Sequence, residues 1–167
     1  MPVRTSSTPV NRFSAILTPD DIEVDVDATG VEAVFREAGR LFERRYGISA
    51  ATVVESLTAR ERLGSTGLGR GVAIPHGRIK GLEKAVAAVL RMRTPVPFDS
   101  PDGEPVFLLV FLLVPQVATP AHLEVLAEIA EMLSGRAFRE EVGNCPDALG
   151  VYRAFAGWSS LSREASK

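Results

Sequence analysis

Residues Val106 to Val114 read VFLLVFLLV, an unbroken apolar run bounded by Pro105 and Pro115. Such a run is either a membrane segment or a strand buried inside a protein. It is about half of the roughly 20 residues that a membrane helix needs. Asp102-Gly103, a turn signal, stands directly before it. The run is therefore read as a buried strand, and the chain is expected to be organised as layers around it.

The rest of the composition fits that reading. A chain of 167 residues suits one domain with a substantial core better than two small ones. An apolar fraction of 46% with 24% charged residues is ordinary for a soluble protein, and a formal charge of -2 supplies no global basic field, so nucleic-acid binding is not expected. The single cysteine, Cys145, has no partner for an internal disulfide or a cysteine-based zinc cage, which points to a reducing, cytoplasmic setting. Residues 1–12 carry Ser, Thr and Pro without the apolar core of a signal peptide and are read as a disordered arm. The domain is expected over residues 13–158, followed by a frayed polar tail at 159–167.

Outward from the apolar run, Phe13–Leu17 and Ile22–Val26 are short apolar pieces split by Thr18-Pro19-Asp20, one of them a candidate strand. Thr29-Gly30-Val31-Glu32 has the form of a capping box, ahead of Val31, Val34, Phe35, Ala38, Leu41 and Phe42 at helical spacing, with Gly47 as the stop. Ser49 caps a second helix through Val53, Val54 and Leu57 that ends near Leu63, with Arg60 and Glu61 in its last turn. Gly71–Ile74 forms a short strand delivering Pro75 and His76 at its end. Ala85–Met92 reads as a strand, with its alanines leaving helix open. Three prolines make 94–101 irregular or an edge strand. Thr119 and Pro120 start a helix whose inward stripe is Leu123, Leu126, Ile129 or Ala130, and Leu133. Ser134 begins a shorter helix through Phe138 and Val142. A last helix from Pro146 to Trp158 is expected to turn Leu149, Tyr152 and Phe155 inward. Two helices, several strands and three helices predict an α/β or α+β fold, a mixed sheet sandwiched by helices.

The chemistry concentrates in residues 60–78, RERLGSTGLGRGVAIPHGR. Gly64, Gly67, Gly69, Gly71 and Gly77 permit positive φ and close backbone approach, so main-chain N–H groups there can converge on an anion. The stretch is not a P-loop, because no Lys-Ser or Lys-Thr follows the glycines. It is not a dinucleotide loop either, since it follows a helix and precedes a strand, the reverse of the required order. His76, with glycine after it and arginines on both sides, suits a histidine that carries a phosphoryl group. A histidine in a tight turn is often only structural, and the alternative stands beside the first. Arg60 is the arginine singled out for charge stabilisation, whereas Arg62, Arg70 and Arg78 read as solvated. Ser65, Thr66 and Gly77 are candidates for phosphate contact, although Ser and Thr in glycine turns commonly serve local backbone bonds.

His122, the other histidine, is the third residue after the Thr119 cap. It is either a satisfied histidine near a helix start or a donor, at the positive end of that helix, to a phosphoryl group on His76. The two histidines lack a chelating spacing, so neither a metal nor another cofactor is expected.

Arg60-Glu61, the run GSTGLGRGVAIPHGR, the strand ending LLVP at Leu112–Pro115 and His122-Leu123 together resemble the IIA proteins of the bacterial sugar phosphotransferase system, in the fructose/mannitol-type superfamily. Within it the GSTGLG loop and the length look most like the nitrogen-regulatory branch. The resemblance spans residues 13 to 157, departing at Thr29-Gly30-Val31 from the family's common Ser-Lys helix start. It implies a phosphotransferase component that accepts a phosphoryl group on Nε2 of His76 from a small HPr-like phosphocarrier, with His122 hydrogen-bonding the group and Arg60 near it. It implies no ATP or metal, and regulatory targets such as potassium-transport proteins and sensor kinases; membrane insertion is not expected, because the chain offers no membrane segment. The alternatives are a sugar-transport subunit passing phosphate to a IIB protein, and a binding module in which phosphorylation is unused.

Overall fold

The computed structural model describes residues 11–117 and 119–160. Two short 3-10 turns, Phe13–Ala15 and Pro19–Asp21, lead into β1 (Ile22–Val26). Helices α1 (Val31–Tyr46) and α2 (Ala50–Arg62) follow, then β2 (Gly67–Gly69), β3 (Val72–Ala73), β4 (His76–Ile79), β5 (Val86–Val96) and β6 (Val106–Pro115). Helices α3 (Pro120–Ser134), α4 (Arg136–Asn144) and α5 (Ala148–Gly157) complete the fold. The strands form one mixed sheet in the order β1-β5-β6-β3-β2, with β4 also paired to β6. β6 runs parallel to β3 and β4 and antiparallel to β5.

The apolar run is the centre of this sheet, and every residue from Leu108 to Leu113 is fully buried. Successive side chains of a strand point to opposite faces. Accordingly Leu108, Val110, Leu112 and Val114 pack with residues of α3, α4 and α5, whereas Leu109, Phe111 and Leu113 pack with residues of α1 and α2. A strand covered on both faces has no use for polar alternation, which is why the run reads as continuous. Edge-to-face contacts of Phe35 with Phe98 and Phe111 tie the α1 layer to the sheet.

Several boundaries differ from the sequence expectation. α1 is not started by a threonine box: Gly30, at φ 106°, is the N-cap and supplies no side-chain bond. The turn out of β1 needs a backbone conformation that a side-chain-bearing residue disfavours. α2 does begin as expected, with Ser49 Oγ accepting from Thr52 N at 3.4 Å. β5 continues through Pro95 to Val96, and its pairing with β6 loses register between Arg91 and Val96, where the proline has no N–H to donate. Ser134 ends α3 rather than starting the next helix, its Oγ donating to Glu131 O. The buried Arg139 donates to Leu133 O at 2.9 Å, capping α3 from within α4. In α5, Val151, Ala154 and Phe155 are buried while Leu149 is exposed. Residues 11 and 12, placed in the expected arm, lie among the described residues. Asn11 is buried and donates to Phe155 O and Trp158 O at 2.7 and 2.9 Å, holding the end of α5. Residues 1–10 and 161–167 of the expected arm and tail lie outside the described residues.

The expectation that His76 ends a strand is also corrected. β3 stops at Ala73, and His76 opens β4, a separate edge strand whose residues His76, Gly77 and Arg78 pair with Leu112, Leu113 and Val114. α2 lies close against this strand at Gly77. A Cβ there would stand 2.2 Å from Ser56 Oγ, and that hydroxyl donates to Arg78 O at 2.8 Å. Gly77→Ala is therefore expected to cost about 1–3 kcal/mol by overpacking, read from a urea unfolding midpoint. Ser56→Ala in the same chain should recover part of the loss. Unchanged stability of the single variant would show that α2 can retreat freely from β4.

Candidate functional site

His76 stands at the sheet edge with its ring fixed by the backbone. Its Nδ1 lies 2.8 Å from Ile74 O. A carbonyl can only accept, so Nδ1 carries the proton and Nε2 is the free nitrogen with a lone pair. Leu112 N donates to Pro75 O at 3.1 Å, anchoring the preceding residue to β6. Strand alternation puts Arg78 on the face of His76, and Gly77 and Ile79 on the α2 face.

His122 has the complementary arrangement. Thr119 N donates to its Nδ1 at 3.1 Å, and His122 N donates to Thr119 O at 3.0 Å, a reciprocal lock at the start of α3 in which histidine takes the place usual for Glu or Gln. Because an N–H can only donate, Nδ1 of His122 is the acceptor and a neutral ring carries its proton on Nε2. The sequence expectation that Leu123 faces the core is corrected: Val125, Ile129, Met132 and Leu133 are buried, and Leu123 is 66% exposed.

The two histidines line one cleft of about 670 Å³ between α2, β4 and α3. Arg60, Arg78 and Lys80 bring positive charge to its wall, Glu55 the one carboxylate, and Leu63, Leu123 and Leu126 apolar surface. Arg60 Nη1 donates to Gly64 O at 2.8 Å, which fixes the guanidinium at the mouth of the glycine loop. Sequence reasoning missed Thr52, Glu55, Ser56 and Ala59 as cleft residues, and read Arg78 as a solvated charge. The signal was present: these α2 positions fall on the helix stripe of Arg60 at spacings of three and four, and Arg78 is two residues beyond His76 in a strand. A larger groove of about 900 Å³ between α1 and α2 carries no histidine.

The glycine loop is built differently from an anion cradle. Its residues Gly67–Gly69 pair with β3 in a tight hairpin, so part of its backbone is used in the ladder. Ser65 Oγ accepts from Gly67 N, and Glu61 accepts from both Thr66 N and Thr66 Oγ1 at 3.1 and 2.6 Å. Neither Ser65 nor Thr66 lines the cleft, and Gly77 is occupied in packing against Ser56. Among the described residues no group of three or more His, Cys, Asp or Glu comes together, and no helix is long and apolar enough to cross a membrane.

A sheet-edge histidine with a free Nε2, facing a second histidine across a cationic cleft, is the kind of site that handles a phosphoryl group. Residues 15–157 match the family model described as "Phosphoenolpyruvate-dependent sugar phosphotransferase system, EIIA 2", and the chain belongs to that family. It is 43% identical over 143 residues to the nitrogen regulatory protein of Pseudomonas aeruginosa, covering 85% of this chain and 93% of that protein. The crystal structure of the nitrogen regulatory protein IIA-Ntr from Neisseria meningitidis superposes with a TM-score of 0.81 at 46% identity, over 85% of this chain and 97% of that one. The crystal structure of IIA mannitol from Escherichia coli shares the fold, with a TM-score of 0.71 at 20% identity over 84% of this chain and 99% of that chain. Members of the family are components of a phosphotransferase system.

Burial lowers the pKa of His76 below its ordinary 6.5, and the Arg60 charge pushes the same way, while the Ile74 carbonyl and Glu61 oppose them. A lowered value means that the fold favours the neutral ring. That contribution to stability is present above pH 6.5 and is lost as pH falls through the lowered value. An NMR titration of the imidazole is expected to place the His76 midpoint below 6.5. Arg60→Gln should raise it and Glu61→Gln lower it further. A midpoint at or above 6.5 in the unaltered protein would contradict this electrostatic picture.

Proposed function

We propose that this protein is a histidine phosphoryl carrier in which Nε2 of His76 takes a phosphoryl group from the phosphohistidine of an HPr-like carrier protein. The observation that carries the reading is the pair of opposite tautomers in one cleft. His76 offers a lone pair because Ile74 O holds its Nδ1 proton, and His122 offers an Nε2–H because its Nδ1 is occupied.

The transfer follows from those atoms. The Nε2 lone pair of His76 forms the new N–P bond as the N–P bond to the donor histidine breaks, and the donor ring leaves with that electron pair. Positive charge developing on the His76 ring falls beside the Ile74 carbonyl, which stabilises it. His122 Nε2–H donates to a phosphoryl oxygen, and Arg60 offsets the charge of the group, with Arg78 and Lys80 adding to the field. The rigid loop clamped by Glu61 and Thr66 keeps Arg60 in place. A neutral His76 then retains its nucleophilic lone pair on the acid side of pH 6.5.

Exposed Leu63 and Leu123 at the cleft, 84% and 66% accessible, give a carrier protein apolar surface to dock on beside the reacting nitrogen. The likeness to nitrogen regulatory proteins supports a regulatory output in the cytoplasm, through targets such as potassium-transport proteins or sensor kinases that distinguish the two phosphorylation states. Replacing a neutral imidazole by a phosphorylated ring places negative charge at the centre of that surface, and this is the physical basis of the switch.

The test is intact-mass measurement at alkaline pH after incubation with phosphoenolpyruvate, enzyme I and an HPr-type carrier. One phosphate is expected on the unaltered protein and none on His76→Ala. His122→Ala should accept it about 10²-fold more slowly, the typical loss for one transition-state donor. A phosphate that persists in His76→Ala, or none with any carrier, would overturn the reading and favour a binding module. Onward transfer to a IIB cysteine would identify a transport role.

A further inference from the structure

We propose that the hollow between the β2–β3 turn and α4, walled by Arg70, Arg136 and Arg139 against the ring of Phe107, binds a small anion bearing two or more phosphate charges. The hollow measures about 500 Å³, and Glu140, Gly143 and Asn144 complete its lining. It lies away from the phosphoryl site. Phe107 stands at the start of β6 and Leu112, the partner of His76, five residues further on, a separation of roughly 16 Å along the strand.

Arg139 is the innermost of the three guanidinium groups and is only 8% exposed. It spends Nη1 on Leu133 O at 2.9 Å, and no carboxylate among the described residues pairs with it. The sole buried side-chain polar atom left without a partner among those residues is Ser100 Oγ, so the remaining N–H groups of Arg139 open onto the hollow or solvent. Burial and the charges of Arg70 and Arg136 depress its pKa, with Glu140 opposing. The nearby carboxylates offset only part of the cluster's charge. Glu140, in the lining, pairs with Arg136, whose Nε it meets at 3.1 Å, and Asp102, outside the lining, accepts from the backbone N of Arg70 at 2.8 Å, which leaves Arg139 without a carboxylate partner among the described residues.

Arg70 sits where its side chain is conformationally costly. Arg70 and Gly71 are the two central residues of the hairpin turn, at φ 58° and 85°. Such a turn favours Asn-Gly, because Asn tolerates positive φ and arginine gains nothing from it. A residue held in the left-handed region where a cheaper one would serve marks a place where the side chain is used. Here Arg70 lines the hollow together with the α4 arginines, close enough for its charge to act on Arg139. Gly71 makes room for the wall itself. A Cβ there would approach Phe107 Cδ1 to 2.8 Å, whereas one at Gly143 would rest in ordinary contact with Phe107 Cε2 at 3.6 Å. Fork-shaped guanidinium donors around an apolar floor suit adjoining phosphate groups better than a single chloride-like charge.

The experiment is a ¹H–¹⁵N titration of the full chain with inorganic pyrophosphate at constant ionic strength. Saturable shifts are expected at Gly69–Gly71, Phe107 and α4. Arg70→Asn, which suits the turn, should weaken binding at least 10-fold while leaving phosphoryl acceptance at His76 unchanged, and Arg136→Gln should weaken it further. Shifts confined to the His76 cleft, shifts reproduced by sodium chloride at equal ionic strength, or undiminished affinity in Arg70→Asn would each overturn the proposal.

Discussion

The parallel pairing of the short edge strand β4 with β6 is the constraint on which the site depends. β6 is buried on both faces, so its register is fixed by two cores at once, and a slip of one residue would exchange the α1–α2 and α3–α5 surfaces. β4 inherits that register through His76–Leu112 to Ile79–Pro115. A strand of four residues could not hold the His76 ring in place alone. Joined to the most buried strand of the sheet, and closed on its other side by Ser56 of α2, it can.

What the pairing delivers is a ring whose chemistry is decided by the main chain. Ile74 O selects the proton position on His76 and Thr119 N selects it on His122, and neither choice depends on a titrating side chain. Opposite tautomers therefore meet in the cleft as a built-in property of strand and helix termini. Around them the charges are graded. Arg60 sits in the loop mouth, held by Gly64 O, and Arg78 and Lys80 follow along β4 and just beyond it. The cluster of arginines at the other end of β6 repeats the cationic character without a histidine.

Much of this was legible in the residues. The apolar run announced a doubly buried strand because no polar alternation interrupts it, and Ser49, Gly47 and Thr119-Pro120 marked helix ends by local chemistry that does not need the rest of the fold. His76, His122 and Arg60 were singled out before their common cleft was known. The misreadings share a cause. Thr29 matches a capping box in spacing, but the exit from β1 forces Gly30 into positive φ and makes it the cap. Leu123 matches the inward stripe of α3, but that stripe divides between core and cleft, so an apolar residue that lines the cleft looks the same in sequence as one in the core. The glycines allowed either an anion cradle or a hairpin, and only the pairing of Gly67 with Ala73 distinguishes them.

The most direct test of the central claim is to locate the phosphorus on the modified ring by correlating ³¹P and imidazole ¹⁵N signals in the phosphorylated protein. Coupling to Nε2 of His76, with its Nδ1 still protonated toward Ile74, is the predicted result. Phosphorus on Nδ1 of His76, or on either nitrogen of His122, would mean that the backbone bond does not select the nucleophile and would contradict the account.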